Sequence, residues 1–277
     1  MSGETHFADR LAEAVERKRS QLCVGLDPDP ALLPDGVGAV DFCRGIVDAV
    51  ADSAVAVKPQ LAFFEALGAE GWSGFHAVCA HARDAGLLVV ADAKRGDVPS
   101  TARAYAAAFA PVADAVTVSP YLGGDSLEPF LAHDGLGIFA LVKTSNPGSV
   151  DLQDRLLADG RPLWQHVAEL VAEWGAAELG ERGLSRVGAV VGATFPEEVA
   201  EARRLLPHAP LLLPGVGAQG GRPEELAPAL AAGPGSALVS ASRSVLYADG
   251  GPGWREAAAA EAERLRDAIA ATAEPVA

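Results

Sequence analysis

Eight short apolar runs alternate with helical segments along the chain, and this alternation constrains the fold more than any other feature of the sequence. The runs are Gln21–Leu26, Ala54–Lys58, Leu87–Lys94, Ala115–Ser119, Gly137–Lys143, Val187–Ala193, Pro210–Leu213 and Ala237–Ser240. Most are almost continuously apolar, as expected of parallel strands covered on both faces. Eight strands alternating with helices predict an α/β fold of the single (β/α)8 TIM barrel type, and a doubly wound open sheet is the structural alternative.

The helical segments complete this pattern. Within the repeat we expect helices at Val40–Ala51, Gly74–Ala85 and Glu197–Leu205, with an extra N-terminal helix at Thr5–Arg19 and a last helix at Trp254–Ala271. The connection Asp151–Gly183 is longer than a strand–helix connection normally is, and it is predicted to hold a loop and a helix, Leu163–Leu179. No low-complexity linker interrupts the chain, so we expect residues 1–277 to form a single domain.

Charge and composition exclude several classes of partner. The chain has 277 residues and a formal net charge of −15, which disfavours binding to nucleic acid or to an anionic membrane. No stretch approaches the ~18 uncharged apolar residues of a membrane span. The charged first segment lacks the apolar core of a secretory signal, so a cytoplasmic location is expected. Cys23, Cys43 and Cys79 form no Cys-x-x-Cys pair and are expected to be buried, reduced thiols.

Polar residues stand where the third predicted strand ends. In a barrel, inward-facing residues at the C-terminal ends of the strands form the active site. Strand side chains alternate, so Leu88, Val90, Asp92 and Lys94 share the inner face. Two opposite charges at the end of an apolar strand indicate catalysis, and a structural ion pair that closes the barrel is the alternative.

The second predicted strand brings another lysine to the same rim. Its inner face is expected to carry Ala54, Ala56 and Lys58, while Val55 and Val57 face outward. Neighbouring lysines depress each other's pKa unless carboxylates intervene. Asp92 and Asp97 are the available carboxylates, so we expect an alternating Lys–Asp–Lys–Asp array in which both ammonium groups stay charged.

Three further residues follow predicted strands. Asp97 comes after Gly96 and is expected to open the next helix, where helix capping is its alternative role. Thr101 lies four residues on, on the same helical face. Asp27 ends the first strand and is placed to accept hydrogen bonds from a ligand hydroxyl, and the alternative is a turn aspartate before Pro28, which is common.

A glycine-rich segment, Pro-Gly-Val-Gly-Ala-Gln-Gly-Gly, follows the seventh strand. Gly215, Gly217 and Gly220 satisfy G-x-G-x-x-G, but no Asp or Glu occurs in residues 226–248, where a dinucleotide site needs one. Barrels often bind phosphate between the loops after strands seven and eight. Backbone N–H groups, Gln219 and Arg243 therefore predict a phosphate cradle.

Other catalytic chemistries find little support in the sequence. The six histidines show no His-Glu-x-x-His or Cys/His metal spacing. There is also no G-x-S-x-G elbow and no Walker A loop. We therefore expect no bound metal.

From Leu22 to about Tyr247, the chain resembles the orotidine 5′-phosphate decarboxylase family. The family's Asp-x-Lys-x-x-Asp signature matches Asp92, Lys94 and Asp97. Its strand-two lysine matches Lys58 in Ala-Val-Lys-Pro-Gln, and its strand-one aspartate matches Asp27. The glycine-rich segment and the later Ser-Arg-Ser complete a set that is specific because the segments occur in barrel order. The extended Asp151–Gly183 region departs from the shorter members and resembles the longer bacterial branch, type 2.

The resemblance implies a cofactor-free decarboxylase that forms uridine 5′-phosphate in pyrimidine biosynthesis. It implies that Lys94 gives a proton to pyrimidine C6 while Asp92 faces the substrate carboxylate, and that Lys58 completes the array and contacts ribose. It also implies a homodimer whose sites are shared across the interface. The remaining implied contacts are Asp97 and Thr101 in the neighbouring subunit's site, Asp27 at the ribose, Ser145 at the pyrimidine, and Pro214, Gln219, Gly220 and Arg243 at the 5′-phosphate.

Two rival functions remain. The metal-dependent sister enzymes 3-keto-L-gulonate 6-phosphate decarboxylase and hexulose-phosphate synthase share the signature and the phosphate site. They carry a metal-binding carboxylate near the end of strand two, where Lys58 would repel a metal ion. A catalytically silent phosphate-metabolite sensor would be expected to have lost part of the charge array, yet all four charges are present.

Overall fold

A closed barrel of eight parallel strands forms the centre of the computed structural model, which describes residues 6–217, 220–230 and 232–273. The strands are β1 (Leu22–Leu26), β2 (Ala56–Pro59), β3 (Leu88–Arg95), β4 (Ala115–Val118), β5 (Gly137–Lys143), β6 (Val187–Val191), β7 (Leu211–Pro214) and β8 (Ala237–Ala241). Strand β1 pairs with β8, Cys23 opposite Ser240, so the sheet closes on itself. The predicted (β/α)8 barrel is confirmed and the open doubly wound sheet is excluded.

Helices follow the strands and form the outer layer. They are α1 (Phe7–Lys18), α2 (Ala39–Val50), α3 (Leu61–Glu65), α4 (Gly68–Asp84), α5 (Pro99–Phe109), α6 (Glu128–Leu131), α7 (Leu163–Gly175), α8 (Pro196–Leu205), α9 (Ala227–Leu230), α10 (Arg243–Leu246) and α11 (Trp254–Ala273). Short 3-10 turns lie at Pro120–Leu122, Gly124–Ser126, Pro147–Asp151 and Pro223–Leu226. The predicted extra N-terminal helix is present as α1, whereas Thr5, its predicted first residue, lies outside the described residues.

Helix α1 covers the N-terminal end of the barrel. Its buried face packs on the barrel interior, where the rings of Phe7 and Phe139 meet edge to face with centroids 5.9 Å apart. Gly137 makes room for this contact, because a Cβ there would come within 2.3 Å of the Phe7 ring. Arg10 of α1 forms an ion pair with the buried Asp114 just before β4. One end of the barrel is thus sealed by the chain itself.

The alternation of side chains along the strands follows the prediction where the strand is regular. On β3, Val90 packs in the barrel interior while Val89 and Ala91 pack against the helices. On β2, Ala56 faces inward with Lys58, and Val57 faces outward. The predicted directions of the two preceding residues were wrong: Ala54 belongs to the outer core and Val55 to the interior, because the strand begins only at Ala56.

The long connection after β5 contains the predicted loop and helix. The helix, α7, ends at Gly175 rather than at Leu179. All three cysteines are buried and free, as expected, and burial raises the pKa of the Cys23 thiol to about 12. Within the described part of the chain, no helix combines the length and the apolar character needed to span a membrane. That residues 1–277 form one domain stays a prediction.

Candidate active site

A cavity of about 320 Å³ opens at the C-terminal ends of the strands. Its polar wall is formed by residues at or just after the ends of six strands, β1 to β5 and β8. These polar residues are Asp27, Lys58, Gln60, Asp92, Lys94, Thr117, Thr144, Ser145, Asn146, Ser240, Ser242 and Arg243. This is the end of the barrel at which (β/α)8 enzymes hold their active sites. Seven of the eleven predicted site residues therefore line the cavity. They are Asp27, Lys58, Asp92, Lys94, Ser145, Pro214 and Arg243.

Asp92 is the centre of the charged array. Its Oδ2 accepts hydrogen bonds from Lys58 Nζ at 2.7 Å and from Gln60 Nε2 at 3.0 Å. Its Oδ1 accepts from Lys94 Nζ at 2.6 Å and from Thr117 Oγ1 at 2.9 Å. Both carboxylate oxygens are thus doubly satisfied, and the position of each ammonium group is fixed by a charge-assisted hydrogen bond.

The array holds Asp92 and Lys58 in their charged forms. Burial opposes ionisation of Asp92, but the charges of Lys58 and Lys94 outweigh it and keep the pKa of this carboxyl below its usual range. Burial likewise opposes the charge on Lys58, but Asp92 and Asp27 outweigh it and raise the pKa of that ammonium. Lys58 is buried, whereas 47% of the Lys94 side chain is exposed toward the cavity. Lys94 is therefore the member of the array with room to meet a ligand.

The backbone at Lys94 is held in an uncommon conformation. Its φ is +47°, in the left-handed region that side chains other than glycine rarely adopt. The register between β3 and β4 shifts between Ala91 and Arg95, and the Lys94 N–H donates to Thr117 Oγ1 at 2.9 Å instead of joining a regular ladder. Such strain costs about 1–3 kcal/mol and clusters at functional sites. Here the irregular turn gives Lys94 its position beside Asp92.

Asp27 lies directly after β1 and retains an unsatisfied acceptor. Its Oδ1 is buried and has no hydrogen-bond partner among the described residues. The Asp27 carbonyl accepts from Tyr247 Oη at 2.8 Å, and the Asp29 N–H donates to the same hydroxyl at 2.8 Å. The turn is thus fixed through its backbone, which leaves the carboxylate oxygen in the cavity wall to accept from a ligand.

Part of the predicted phosphate-binding segment lines the cavity. Pro214, Gly215 and Val216 line the cavity together with Arg243. The Gly220 N–H donates to the Gly217 carbonyl at 2.9 Å, so it is occupied within the loop. Gln219 lies outside the described residues.

Arg243 is exposed, and it begins α10 directly after Ser242. It forms no ion pair within the described part of the chain. Its guanidinium is therefore available to an anion at this rim.

Asp97 and Thr101 do not contribute to the cavity. Neither is among the described residues that line it. The prediction that Asp97 opens the following helix was wrong, because α5 begins at Pro99 and its N-cap is Val98. Pro99 fixes the first turn, and Asp97 Oδ1 instead accepts from the Val98 N–H at 2.7 Å. Asp97 therefore lies before the helix, and the shared helical face with Thr101 does not exist.

Two residues that hold Asp92 were missed from the sequence. Gln60 comes two residues after Lys58 and forms an isolated bridge with Asp92, so it extends the β2 edge beyond the strand. Thr117 is the second inward residue of β4, and the alternation Ala-Val-Thr-Val could have marked it.

Within the described ranges, no group of three or more His, Cys, Asp or Glu residues is arranged to hold a metal ion.

A closed (β/α)8 barrel in which Lys58, Asp92 and Lys94 form an alternating charge array at the C-terminal ends of the strands defines a barrel enzyme. The comparisons with known proteins name the family. The model of the orotidine 5′-phosphate decarboxylase / HUMPS family matches residues 20–260. The chain belongs to this family, and the resemblance stated from the sequence is confirmed.

Individual relatives match over almost their whole length. The orotidine 5′-phosphate decarboxylase of Roseiflexus castenholzii is 51% identical over 273 residues, which cover 95% of this chain and 97% of the relative. That of Haloarcula marismortui is 43% identical and covers 95% and 98% respectively. The structure of Leishmania donovani OMP decarboxylase superimposes with a TM-score of 0.81 at 37% identity, over 97% of this chain and 99% of that one.

Proposed function

We propose that the chain decarboxylates orotidine 5′-phosphate to uridine 5′-phosphate and carbon dioxide, the UMP-forming step of pyrimidine biosynthesis. The observation that carries the proposal is the hydrogen-bonded array of Lys58, Asp92 and Lys94 at the cavity. The proposal requires neither a metal ion nor a cofactor. Family membership and near full-length similarity to named decarboxylases support it. A cytoplasmic location stays a prediction.

The chemistry follows from the charge that develops at C6. When the bond between C6 and the carboxylate breaks, its electron pair stays on a vinylic carbon with no π system to accept it. A preorganised ammonium at that carbon stabilises the developing charge. Lys94 then gives C6 a proton, and its neutral amine regains one from water. The partial exposure of Lys94 toward the cavity supports this role.

Asp92 faces the departing carboxylate in this arrangement. Because the pKa of Asp92 lies below its usual range, it stays negatively charged beside the substrate's own anion. Repulsion between the two would be relieved as carbon dioxide leaves, while the carboxylate keeps Lys58 and Lys94 charged and in position.

The rest of the substrate is assigned to the remaining cavity wall. The unpartnered Oδ1 of Asp27 would accept from a ribose hydroxyl, with Lys58 beside it. Arg243 would bind the 5′-phosphate next to Pro214, with Gln219 and Gly220 expected from the same loop. Ser145 would read the pyrimidine edge. Phosphate contacts far from C6 supply binding energy that organises the reacting end.

We further propose a homodimer in which Asp97 and Thr101 complete the neighbouring subunit's site. Both residues lie outside the cavity wall of their own chain, among the residues described. Val98 and Tyr121 are large apolar side chains with 50% and 79% exposure near this rim, as an interface would provide.

The activity is tested with purified, chelator-treated protein. It should convert orotidine 5′-phosphate to uridine 5′-phosphate, measured by the change in ultraviolet absorbance. Lys94→Ala should reduce the rate at least about 10³-fold while circular dichroism and thermal unfolding stay close to wild type. Full activity in Lys94→Ala would refute the proposal, and so would a requirement for added magnesium.

The shared site is tested by mixing two inactive variants, Lys94→Ala and Asp97→Ala. A hybrid dimer contains one site that lacks both side chains and one intact site, so part of the activity should return. Subunit exchange is verified by native mass spectrometry of differently tagged chains. Exchange without any recovery would rule out the proposed role of Asp97.

A further inference from the structure

A buried lysine at the end of β5 belongs neither to the charged array nor to the described lining of the cavity. Lys143 is the last residue of β5 and is only 2% exposed, and it is not among the described residues that line the cavity. Its Nζ donates to Asp154 Oδ1 at 2.5 Å and lies 3.7 Å from Glu198 Oε1. Burying an ammonium is costly unless it is paired, so these two carboxylates determine where the end of β5 can lie.

The turn that contains Asp154 also binds Thr144, the residue that follows Lys143 in the chain. Gln153 Oε1 accepts from the Thr144 N–H at 2.9 Å, and Gln153 Nε2 donates to Thr144 Oγ1 at 2.9 Å. The turn is itself anchored to the start of α7, because the Trp164 N–H donates to the Gln153 carbonyl at 3.0 Å. The backbone leading into Ser145 is therefore held by the long connection between β5 and β6.

Ser145 also packs closely against a glycine, Gly192. A Cβ on Gly192 would lie 3.0 Å from both Ser145 Cβ and Ser145 N, closer than ordinary packing allows. The Gly192 N–H donates to the Lys143 carbonyl at 2.9 Å, so this contact is part of the same arrangement. Strand β6 ends at Val191, and its continuation through Gly192 forms a wall against which the Ser145 backbone packs.

We propose that Gln153, Asp154 and Gly192 are positioning residues that hold Ser145 at the position in the cavity wall from which it contacts the pyrimidine. The inference rests on the proposed function and gives the residues 151–154 of the long connection a role in substrate recognition. None of the three is among the described residues that line the cavity. They act through residues 143–145, Asp154 and Gln153 by hydrogen bonds to Lys143 and Thr144, and Gly192 by close packing against Ser145.

The test is a double-mutant cycle between Asp154→Asn and Ser145→Ala. The readouts are the affinity for uridine 5′-phosphate, by calorimetry, and the steady-state constants for orotidine 5′-phosphate. Each single variant should weaken uridine 5′-phosphate binding and raise KM about tenfold, with kcat within about twofold, because a contact to a non-reacting edge contributes equally to ground and transition states. The double variant should be no worse than Ser145→Ala alone.

Two more variants distinguish positioning from a general structural effect. Asp154→Glu restores a carboxylate for Lys143 and should bring KM back to within about threefold of wild type. Asp159→Asn is the matched control: its carboxylate lies in the same connection, with Oδ2 2.8 Å from Nε of the partly exposed Arg161, and its loss should leave both readouts unchanged. If Asp154→Asn fails to fold, Gln153→Ala takes its place, since it removes two neutral hydrogen bonds and no charge.

Gly192→Ala tests the close contact between Gly192 and Ser145. The added methyl should displace Ser145 and weaken uridine 5′-phosphate binding about tenfold, whereas Gly38→Ala, with open space around its Cβ, should have no effect.

Additive losses of uridine 5′-phosphate affinity in the Asp154→Asn/Ser145→Ala double variant would overturn the inference. Unchanged affinity in Ser145→Ala would also overturn it, and so would unchanged affinity in both Asp154→Asn and Gly192→Ala. A wild-type protein that binds uridine 5′-phosphate without decarboxylating its precursor would instead refute the proposed activity, while the binding cycle still decides the role of these residues.

Discussion

Each end of the barrel holds a buried aspartate between two cations. At the open end, Asp92 lies between Lys58 and Lys94. At the closed end, Asp114 forms an ion pair with Arg10, lies 3.8 Å from Arg83 Nη2, and accepts the Val89 N–H at 2.8 Å. Asp92 lies on β3 and Asp114 immediately precedes the neighbouring strand β4, and both side chains are almost completely buried. Burial and charge pairing alone therefore do not identify a reactive centre.

What differs is the surroundings of the cations. At the closed end, Arg10 comes from a helix that covers the barrel, and its second guanidinium nitrogen donates to the Gly135 carbonyl at 2.8 Å. At the open end, Lys94 faces a cavity and its backbone is strained. A structural ion pair closing the barrel was the alternative explanation for Asp92 and Lys94, and such a pair exists at the other end.

Asp92→Asn should give the largest effect and act on catalysis. The amide cannot balance both ammonium groups, so kcat/KM for orotidine 5′-phosphate should fall about 10³-fold. Lys58 would also lose its hydrogen-bonded carboxylate and be left buried with Asp27 as its remaining carboxylate neighbour, which costs about 3–5 kcal/mol of unfolding free energy. Kinetics together with urea unfolding measure the two effects. Activity within tenfold of wild type would show that the open-end aspartate is structural as well.

Asp114→Asn is the matched change at the closed end and should act on stability alone. Arg10 and Arg83 are partly exposed, with 27% and 41% of their side chains accessible, and can turn toward water. The expected loss is therefore smaller, about 2–3 kcal/mol of unfolding free energy. The kcat/KM of the folded variant should stay within about twofold of wild type. A large loss of activity in a folded Asp114→Asn protein would remove the contrast between the two ends.

The sequence predicted the open end better than the closed end, and for a physical reason. Lys58, Asp92 and Lys94 stand at the ends of apolar strands, and in a parallel barrel all strand ends meet on one rim, so topology alone brings them together. The pairing of Arg10 with Asp114 joins residues about a hundred positions apart and depends on how α1 crosses the barrel, which no local pattern encodes.

The same limit applies within the site. The Thr144–Gln153 bonds depend on the path of a turn in a long connection. The left-handed conformation of Lys94 arises from a register shift that propensities do not indicate.

Lowering the pH should show how much the charge of Asp92, at the open end, contributes to the stability of the fold. The pKa of Asp92 is lowered in the folded protein, so its contribution to stability is present above the unfolded value of about 3.9 and is lost as the pH falls below it. The difference in unfolding free energy between wild type and Asp92→Asn should thus be constant from about pH 6 to 8 and shrink below about pH 4. Lys58, whose pKa is raised, loses its contribution only in strong alkali. Urea titrations across this range measure the difference, and one that grows in acid would contradict the sign.

The smallest expected effect tests whether the closed end contributes anything beyond stability. Lys18, near the end of α1, donates from Nζ to the carbonyls of Ala51 and Ala54 at 2.7 and 2.9 Å, which fastens the helix to the segment before β2. Lys18→Met keeps the aliphatic stem but removes both bonds, so it should cost about 1 kcal/mol of unfolding free energy. Arg17 is an exposed neighbour, and Arg17→Met should cost less than about 0.5 kcal/mol of unfolding free energy.

Because β2 also carries Lys58, a change in kcat/KM in Lys18→Met, but not in Arg17→Met, would mean that α1 influences the array through this strand. Unchanged kinetics would keep the two ends functionally separate.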